Sequence, residues 1–336
     1  MATIQQYPWS DNAKPSGLVA RLARVPTPLG GLALGIASLG AAWSMVSPDW
    51  AQPLKIVSAL IATILVLKII TKFVLHPHLI REELAHPVIS SVMPTSAMAL
   101  MVISQSLLSV IPGIARGLWL VAVICHIVLF VCFVVGRVNN FRLEHMVPSW
   151  FVPPVGIIVA AVTSHGMGYE NGVYSLFVFG LGCYFVKLPV MLYRLMFRGV
   201  IPDAALPTFA IMAAPASLSL AGYLTISDQP DPLLILILAP LALLMTVLVY
   251  TGFIRLLRLP FSPGYAAFTF PMVIGATALI KLTHWLFQKD FFWLARITDG
   301  LARIELYVAT AMVLYVAIRY VFFYLCGARF RNSFAG

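Results

Sequence analysis

Charge is scarce in this sequence: Asp, Glu, Lys and Arg together make up 10% of its 336 residues, where a soluble globular protein carries about 25%. So thinly charged a chain cannot clothe a water-facing surface, which excludes a soluble enzyme and a disordered polypeptide. Cysteine is rare too. Cys125, Cys132, Cys183 and Cys326 form no CxxC and fall in or at the ends of apolar runs, so neither a zinc site nor a disulfide framework is indicated, and they read as buried free thiols. Acidic residues number 12 against 22 basic ones, yet the basic residues are dispersed in ones and twos and form no patch of the kind that holds nucleic acid. What fills the chain is 61% apolar residues and a mean hydropathy of +0.94, in tracts long enough to cross a bilayer core of about 30 Å. The sequence is that of an all-α polytopic membrane protein.

Apolar windows of about 20 residues fall near 27–48, 53–76, 87–111, 115–138, 147–165, 171–198, 204–227, 231–257, 263–284 and 302–327. They predict ten transmembrane helices between a cytoplasmic segment, 1–25, and a cytoplasmic tail, 328–336. The first window is long and lacks a small-residue cleavage site, so it reads as a retained span and not a signal peptide. An even number of spans puts both termini on one side. That side receives fourteen of the 22 Lys and Arg residues, while six (Lys55, Arg116, Lys281, Lys289, Arg296 and Arg303) fall on the other and Lys68 and Lys187 lie within spans. The positive-inside rule then makes both termini cytoplasmic, in the cell's inner (plasma) membrane. The last outer connection, 284–297, mixes Trp, Phe and charge as an interfacial segment does.

A repeat survives in the proline spacing. Each odd-numbered window opens on a proline, Pro26, Pro87, Pro148, Pro207 and Pro263, at separations of 61, 61, 59 and 56 residues. A second proline follows in four of them, Pro94, Pro154, Pro215 and Pro271, at separations of 60, 61 and 56. In the first copy Pro28 comes too early, and Gly30, Gly31 and Gly35 occupy the stretch where a break would fall. Five copies of a two-helix hairpin, about 26–76, 87–138, 147–198, 204–257 and 263–327, account for this simply. Apart from Lys281 near the end of the fifth, the odd windows are free of Asp, Glu, Lys and Arg and rich in small or hydroxyl residues, as in SSVMPTSAMA at 90–99; the even ones are bulkier. Small residues let backbones approach, and bulky aliphatics suit lipid. The expected architecture is five inner helices around a central pore, ringed by five outer ones, with proline breaks tolerated where freed backbone groups meet protein or a water-filled cavity.

A pore lined by such helices is uncharged. A proton-coupled transporter normally keeps ionisable residues in its inner spans, and these have none apart from histidines at helix ends and Lys281 near the outer end of the fifth. No Asp or Glu ring and no TVGYG loop marks a cation path, and Lys281, near the outer end of the fifth inner window, reads either as an anion collector or as a snorkelling interfacial lysine. Phe270 stands directly before Pro271 (GYAAFTFPMVIG), so its ring either crosses the pore as a dewetting gate or packs against a neighbour. Ser91, Thr95, Ser217 and Thr269 are the expected pore-lining hydroxyls, beside breaks at Pro94, Pro154, Pro215, Pro271, Gly30 and Gly31.

The stretches FSPGYAAFTFPMVIGATALIKL (261–282), HPVISSVMPTSAMAL (86–100), VPTPLGGLALG (25–35) and IMAAPASLSLAGYL (211–224) resemble the slow-type anion channel family. That family includes plant guard-cell channels, the bacterial tellurite-resistance proteins named TehA and yeast malate permeases of the dicarboxylate transporter group. The resemblance spans essentially the whole chain. It implies five quasi-repeated hairpins around a pore in each subunit, usually a homotrimer, with the gating phenylalanine at Phe270 and a vestibule lysine at Lys281. One departure is Lys187-Leu188-Pro189, where bacterial members often carry Glu-Pro, which leaves the role of Lys187 open. The long phosphorylated tails of plant channels are absent, so kinase control of that kind is not expected.

His76, His78 and His86 lie near Glu82 and Glu83, but Pro77 breaks the register and no cysteine joins them, so no metal is expected. His126 reads as an interhelix hydrogen-bonding residue. No nucleophile elbow, P-loop or HExxH is present, so neither an enzyme nor a cofactor is expected. The function expected is a passive channel for small anions such as chloride or nitrate; the alternative is a secondary carrier of C4-dicarboxylate, tellurite or sulfite.

Overall fold

The computed structural model describes residues 17–138 and 141–325; Cys326, most of the segment read as an N-terminal cytoplasmic stretch and the C-terminal tail lie outside the described residues. A short α1 (Leu18–Ala23) precedes the unbroken α2 (Leu29–Val46), which packs on α3 (Ala51–Leu75). The next pair is α4 (His78–Ala85), α5 (Ile89–Val92) and α6 (Thr95–Leu107), followed by α7 (Pro112–Val138). A 3-10 turn at Pro148–Phe151 leads into α8 (Val152–Val155), a second 3-10 turn at Gly156–Ile158, α9 (Val159–Val162) and the long α10 (Glu170–Phe197). A 3-10 stretch at Leu206–Ala213 continues as α11 (Ala214–Ile226), paired with α12 (Pro232–Leu256). Another, Pro263–Phe268, continues as α13 (Phe270–Gln288), which packs along α14 (Phe292–Leu325).

Among the described residues, eight helical stretches are long and apolar enough to cross a membrane, and a ninth is added if α4 with α5–α6, bent by 106° at its break, counts as one span. The fifth sequence window corresponds to the shorter apolar stretch Pro148–Val162, where Pro148, Pro153 and Pro154 cut the helix into single turns. Burial separates two classes. Of the long stretches, Leu29–Val46, Leu206–Ile226 and Pro263–Gln288 are 56%, 72% and 89% buried in their most apolar windows, whereas the stretches containing α3, α7, α10, α12 and α14 are 28–33% buried. The latter group presents aliphatic stripes such as Val57, Leu60, Ile64 and Leu67 outward, as a lipid-facing surface requires. Among the buried segments, α2 touches α6, α6 touches α9, α9 touches α11, α11 touches α13, and α13 touches α2.

The prolines act differently from a simple kink. Pro94 caps α6, Pro215 stands in the first turn of α11 and Pro271 in the first turn of α13, so each marks where a 3-10 or short helical approach becomes α-helix. Proline suits that place because the first turn has no internal acceptor for its missing N–H. Gly30 and Gly31 are no break at all: α2 runs straight through them. Their smallness serves packing, since a Cβ on Gly30 would collide with the Ser96 hydroxyl and one on Gly31 would come within 3.4 Å of Ala266.

Carbonyls freed by the irregular segments still need donors inside a membrane, and side chains of the less buried helices supply them. His126 on α7, fully buried, donates from Nε2 to the Pro153 carbonyl at 2.9 Å. Lys187 on α10 donates to the Trp150 carbonyl at 2.8 Å, which gives this lysine a structural partner at the start of the third buried segment. Tyr320 on α14 donates to the Pro263 carbonyl at 2.5 Å. Two sequence expectations are corrected. Cys125 is exposed and Cys132 and Cys183 are partly so, because they sit on the outward faces of α7 and α10. Of the 284–297 connection, residues 284–288 belong to α13 and 292–297 to α14, which leaves a tight turn at 289–291 with Asp290 in the left-handed region at φ 61°, a conformation Asp tolerates.

Candidate functional site

On α13, Phe270, Ile274, Thr277 and Lys281 recur at helical spacing and form one stripe that borders open space. Residues from all five buried segments enclose that space as two cavities. The first, of about 90 Å³, is bordered by Gly31 and Leu34 from α2, Thr95 and Met98 from α6, Phe151 and Val155, Thr208 and Pro215, and Pro263, Phe270 and Pro271. Among its described lining residues none is charged. Its threonine protons are committed to the backbone: Thr95 donates to the Val92 carbonyl and Thr208 to the Ala205 carbonyl, each at 2.6 Å.

The second cavity, of about 320 Å³, is polar. Lys55 and Lys281 border it with His165, Gln105, Ser38, Ser44, Thr163, Thr225 and Thr277, and no carboxylate is among its described lining residues. The threonines again donate to their own helices, Thr225 to Ala221 and Thr277 to Val273. Ser38 is different: its hydroxyl is buried and without a hydrogen-bond partner. The polar groups that border it thus include two lysine side chains, the Gln105 amide, the His165 ring and the unpartnered Ser38 hydroxyl.

Two residues border both cavities, Leu218 on α11 and Phe270 on α13. They are 2% and 7% exposed, so two buried apolar side chains stand where the uncharged cavity adjoins the basic one.

A family model described as voltage-dependent anion channel, SLAC1, matches residues 25–321. The chain belongs to the SLAC1 family. Among curated proteins it is similar to two from Methanocaldococcus jannaschii. Uncharacterized transporter MJ0762 is 27% identical over 63% of this chain and 70% of its own length. Uncharacterized transporter MJ0576 is 26% identical over 56% of this chain, which spans 62% of that relative. Membership of the SLAC1 family points to a multi-pass membrane protein that conducts or transports anions.

Within this SLAC1-family chain, the expected residues divide. Thr95, Gly31, Pro215, Pro271 and Phe270 border the uncharged cavity, and Phe270 and Lys281 border the basic one. Neither cavity is bordered by Ser91, Ser217, Thr269, Gly30, Pro94 or Pro154. Ser91 bonds Ser149 across to the third segment at 2.6 Å, and Ser217 donates to Ala213. Thr269 donates to the Ala266 carbonyl at 2.7 Å and lies 3.1 Å from the Gly31 carbonyl, so it joins α13 to α2 directly beside Phe270.

Sequence reasoning missed Leu218, Ser38, Lys55 and His165. Leu218 was visible as the one bulky residue of APASLSLAG level with a proline, three residues past Pro215. Lys55 had been counted with the outer charges, but its approach to Lys281 depends on how α3 leans on α2, which no local pattern specifies. The histidine cluster is spread out: His76 contacts the Val19 carbonyl and the His78 ring, while His86 accepts from the N–H groups of Val88 and Ile89 at the start of α5.

Proposed function

We propose that this protein is a passive channel for small anions, gated by the Phe270 ring with Leu218 opposite it. The observation that supports this reading is that, among the described residues, these two are the ones shared by an uncharged and a basic cavity. In this reading the chain forms ten transmembrane helices as five hairpins around the pore, with the 147–165 segment as a short fifth span. Both termini are cytoplasmic in the inner (plasma) membrane, and three subunits assemble with one pore each. An anion gathers at Lys55 and Lys281, sheds part of its water, and passes Phe270 into a chamber that holds it only weakly. Weak holding favours throughput, since a fixed charge deep in a narrow path would trap the ion. Larger, weakly hydrated anions such as nitrate then pass more readily than chloride.

Anion current through bilayers containing wild type or Phe270→Ala, with chloride and nitrate, tests the proposal. Small wild-type current that rises sharply on truncation supports the gate. Silence from both folded proteins counts against a channel. A second reading, a carrier for C4-dicarboxylate, tellurite or sulfite, draws its support from the paired lysines of the basic cavity, which suit a dianion. Saturable counterflow in liposomes would favour it; current linear in anion concentration would dismiss it.

A further inference from the structure

Glu305, on α14, takes no part in either cavity, yet it is 5% exposed and its Oε1 has no hydrogen-bond partner. Its carboxyl group fills the space beside Gly275 of α13: a Cβ built on that glycine would collide with Oε1 and lie 2.9 Å from the carboxyl carbon. Gly275 follows Ile274, which borders the basic cavity, so the carboxyl stands against the back of the helix whose front carries Phe270, Thr277 and Lys281. A second orphaned oxygen, the Tyr250 hydroxyl of α12, lies within reach of the Glu305 charge. Ionisable groups are costly in a membrane interior and are kept there for use. Among the described residues no cation pairs with the carboxyl and no donor reaches Oε1, so its two protonation states differ by a nearly uncompensated charge.

We propose that Glu305 is a proton-binding site that controls anion occupancy of the neighbouring basic cavity, with proton binding raising anion current. This rests on reading the two cavities as an anion path. A carboxylate takes up a proton from water by forming one O–H bond and loses its negative charge. Across the width of one helix, about 10 Å, a charge in a poorly polarisable medium acts strongly. The ionised group repels an anion held at Lys281 and Ser38; the protonated group does not.

Of the titratable groups on the elements around Glu305, those from α13 are Lys281, in the cavity, and His284, exposed toward the outer end; from the Pro263–Phe268 turn, Tyr265; from α12, Tyr250 and Arg255; α2 contributes none. On α14 itself they are Arg296, Asp299, Arg303, Tyr307, Tyr315, Arg319, Tyr320 and Tyr324; Asp299 and Arg303 pair with each other on the exposed face, Tyr307 is exposed, and Tyr320 donates to the Pro263 carbonyl. His165 borders the same cavity from the third segment, so it is the competing explanation to remove.

The experiment measures nitrate current through the reconstituted full chain as pH falls, for wild type, Glu305→Gln, Tyr250→Phe and His165→Gln. Wild-type current should rise about fivefold or more from about pH 9 to about pH 5, a coupling of ordinary size. Glu305→Gln should be high and flat, Tyr250→Phe should keep the rise with a moved midpoint, and His165→Gln should keep it unchanged. A rise retained in Glu305→Gln, or lost in His165→Gln, overturns the proposal. Infrared difference spectra over the same range give a readout independent of transport: a protonated-carboxyl C=O band that titrates and is missing in Glu305→Gln. If no variant conducts but that band titrates, the proton site stands and the channel reading falls. If Glu305→Gln does not fold, a wild-type spectrum without a titrating carboxyl band overturns the site by itself.

Discussion

Leu218 and Phe270 each border both the uncharged cavity and the basic one, although they come from different helices, α11 and α13. Pro215 stands in the first turn of α11, three residues before Leu218, and Pro271 follows Phe270 directly, so both residues lie near the starts of helices that have just left a 3-10 approach.

Truncating either residue should therefore widen the same constriction. Phe270→Ala is expected to raise anion current by at least about tenfold, equivalent to ~1.4 kcal/mol of barrier, and Leu218→Ala by less. The double variant should fall short of the product of the two effects, because residues that close one gap are not independent. Single-channel conductance across this cycle checks it. Fully multiplicative effects would mean that the two side chains do not share a barrier.

Lys281→Gln and Lys55→Gln should each lower anion current, and more so in dilute salt. Screening extends over about 30 Å at 0.01 M and only about 8 Å at physiological ionic strength, so a collector of anions loses its advantage as salt rises. Current measured against salt concentration for each variant tests this. A loss that stays constant with salt would assign the lysines to structure.

The sequence made the buried segments readable because composition tracks environment: segments lacking charge and rich in small residues are the ones most buried. Phe270 was legible through its place before Pro271. The hydroxyl residues were less so. Ser91, Ser217 and Thr269 share the composition of a pore lining, but Ser217 bonds Ala213 of its own approach, and the faces of Ser91 and Thr269 depend on contacts with Ser149 and Gly31, 58 and 238 residues away. The same holds for Gly30 and Gly31. A glycine pair where a repeat has prolines suggests a break, yet it equally suits two helices in close contact, and the packing against Ser96 and Ala266 decided it. Glu305 escaped notice because it lies in a segment whose outer face is lipid-exposed, and only the glycine opposite it shows that it points inward.

Gly35→Ala should disturb the gate without touching it. A Cβ there would stand 2.5 Å from the Thr269 Cβ and 3.3 Å from the Phe270 backbone nitrogen, so α2 and α13 must separate. Overpacking of this kind costs about 1–3 kcal/mol. Because the displaced residue adjoins Phe270, lower thermal stability should come with an altered conductance. Lower stability with unchanged conductance would separate this contact from the gate.

Lys72 and Glu83 form a buried ion pair where α3, α4 and the approach to α2 converge, both 1% exposed. Lys72 also donates to the Val25 carbonyl at 2.8 Å and to the Thr27 hydroxyl at 3.2 Å, and Glu83 accepts from Thr27. The pair thus fixes the chain just ahead of Pro28 and Gly31, which border the uncharged cavity. Breaking a buried pair leaves one unpaired charge, at a cost of ~3–5 kcal/mol, whereas removing both partners costs much less. Lys72→Met should accordingly be the more damaging change, because Glu83 keeps only a single hydroxyl donor. Glu83→Gln should be milder, since the ammonium retains a carbonyl and a hydroxyl. The double variant Lys72→Met with Glu83→Gln should recover part of the loss. Thermal unfolding in detergent of the four proteins measures this coupling, and a double variant less stable than Lys72→Met alone would show that the two side chains hold the inner mouth independently.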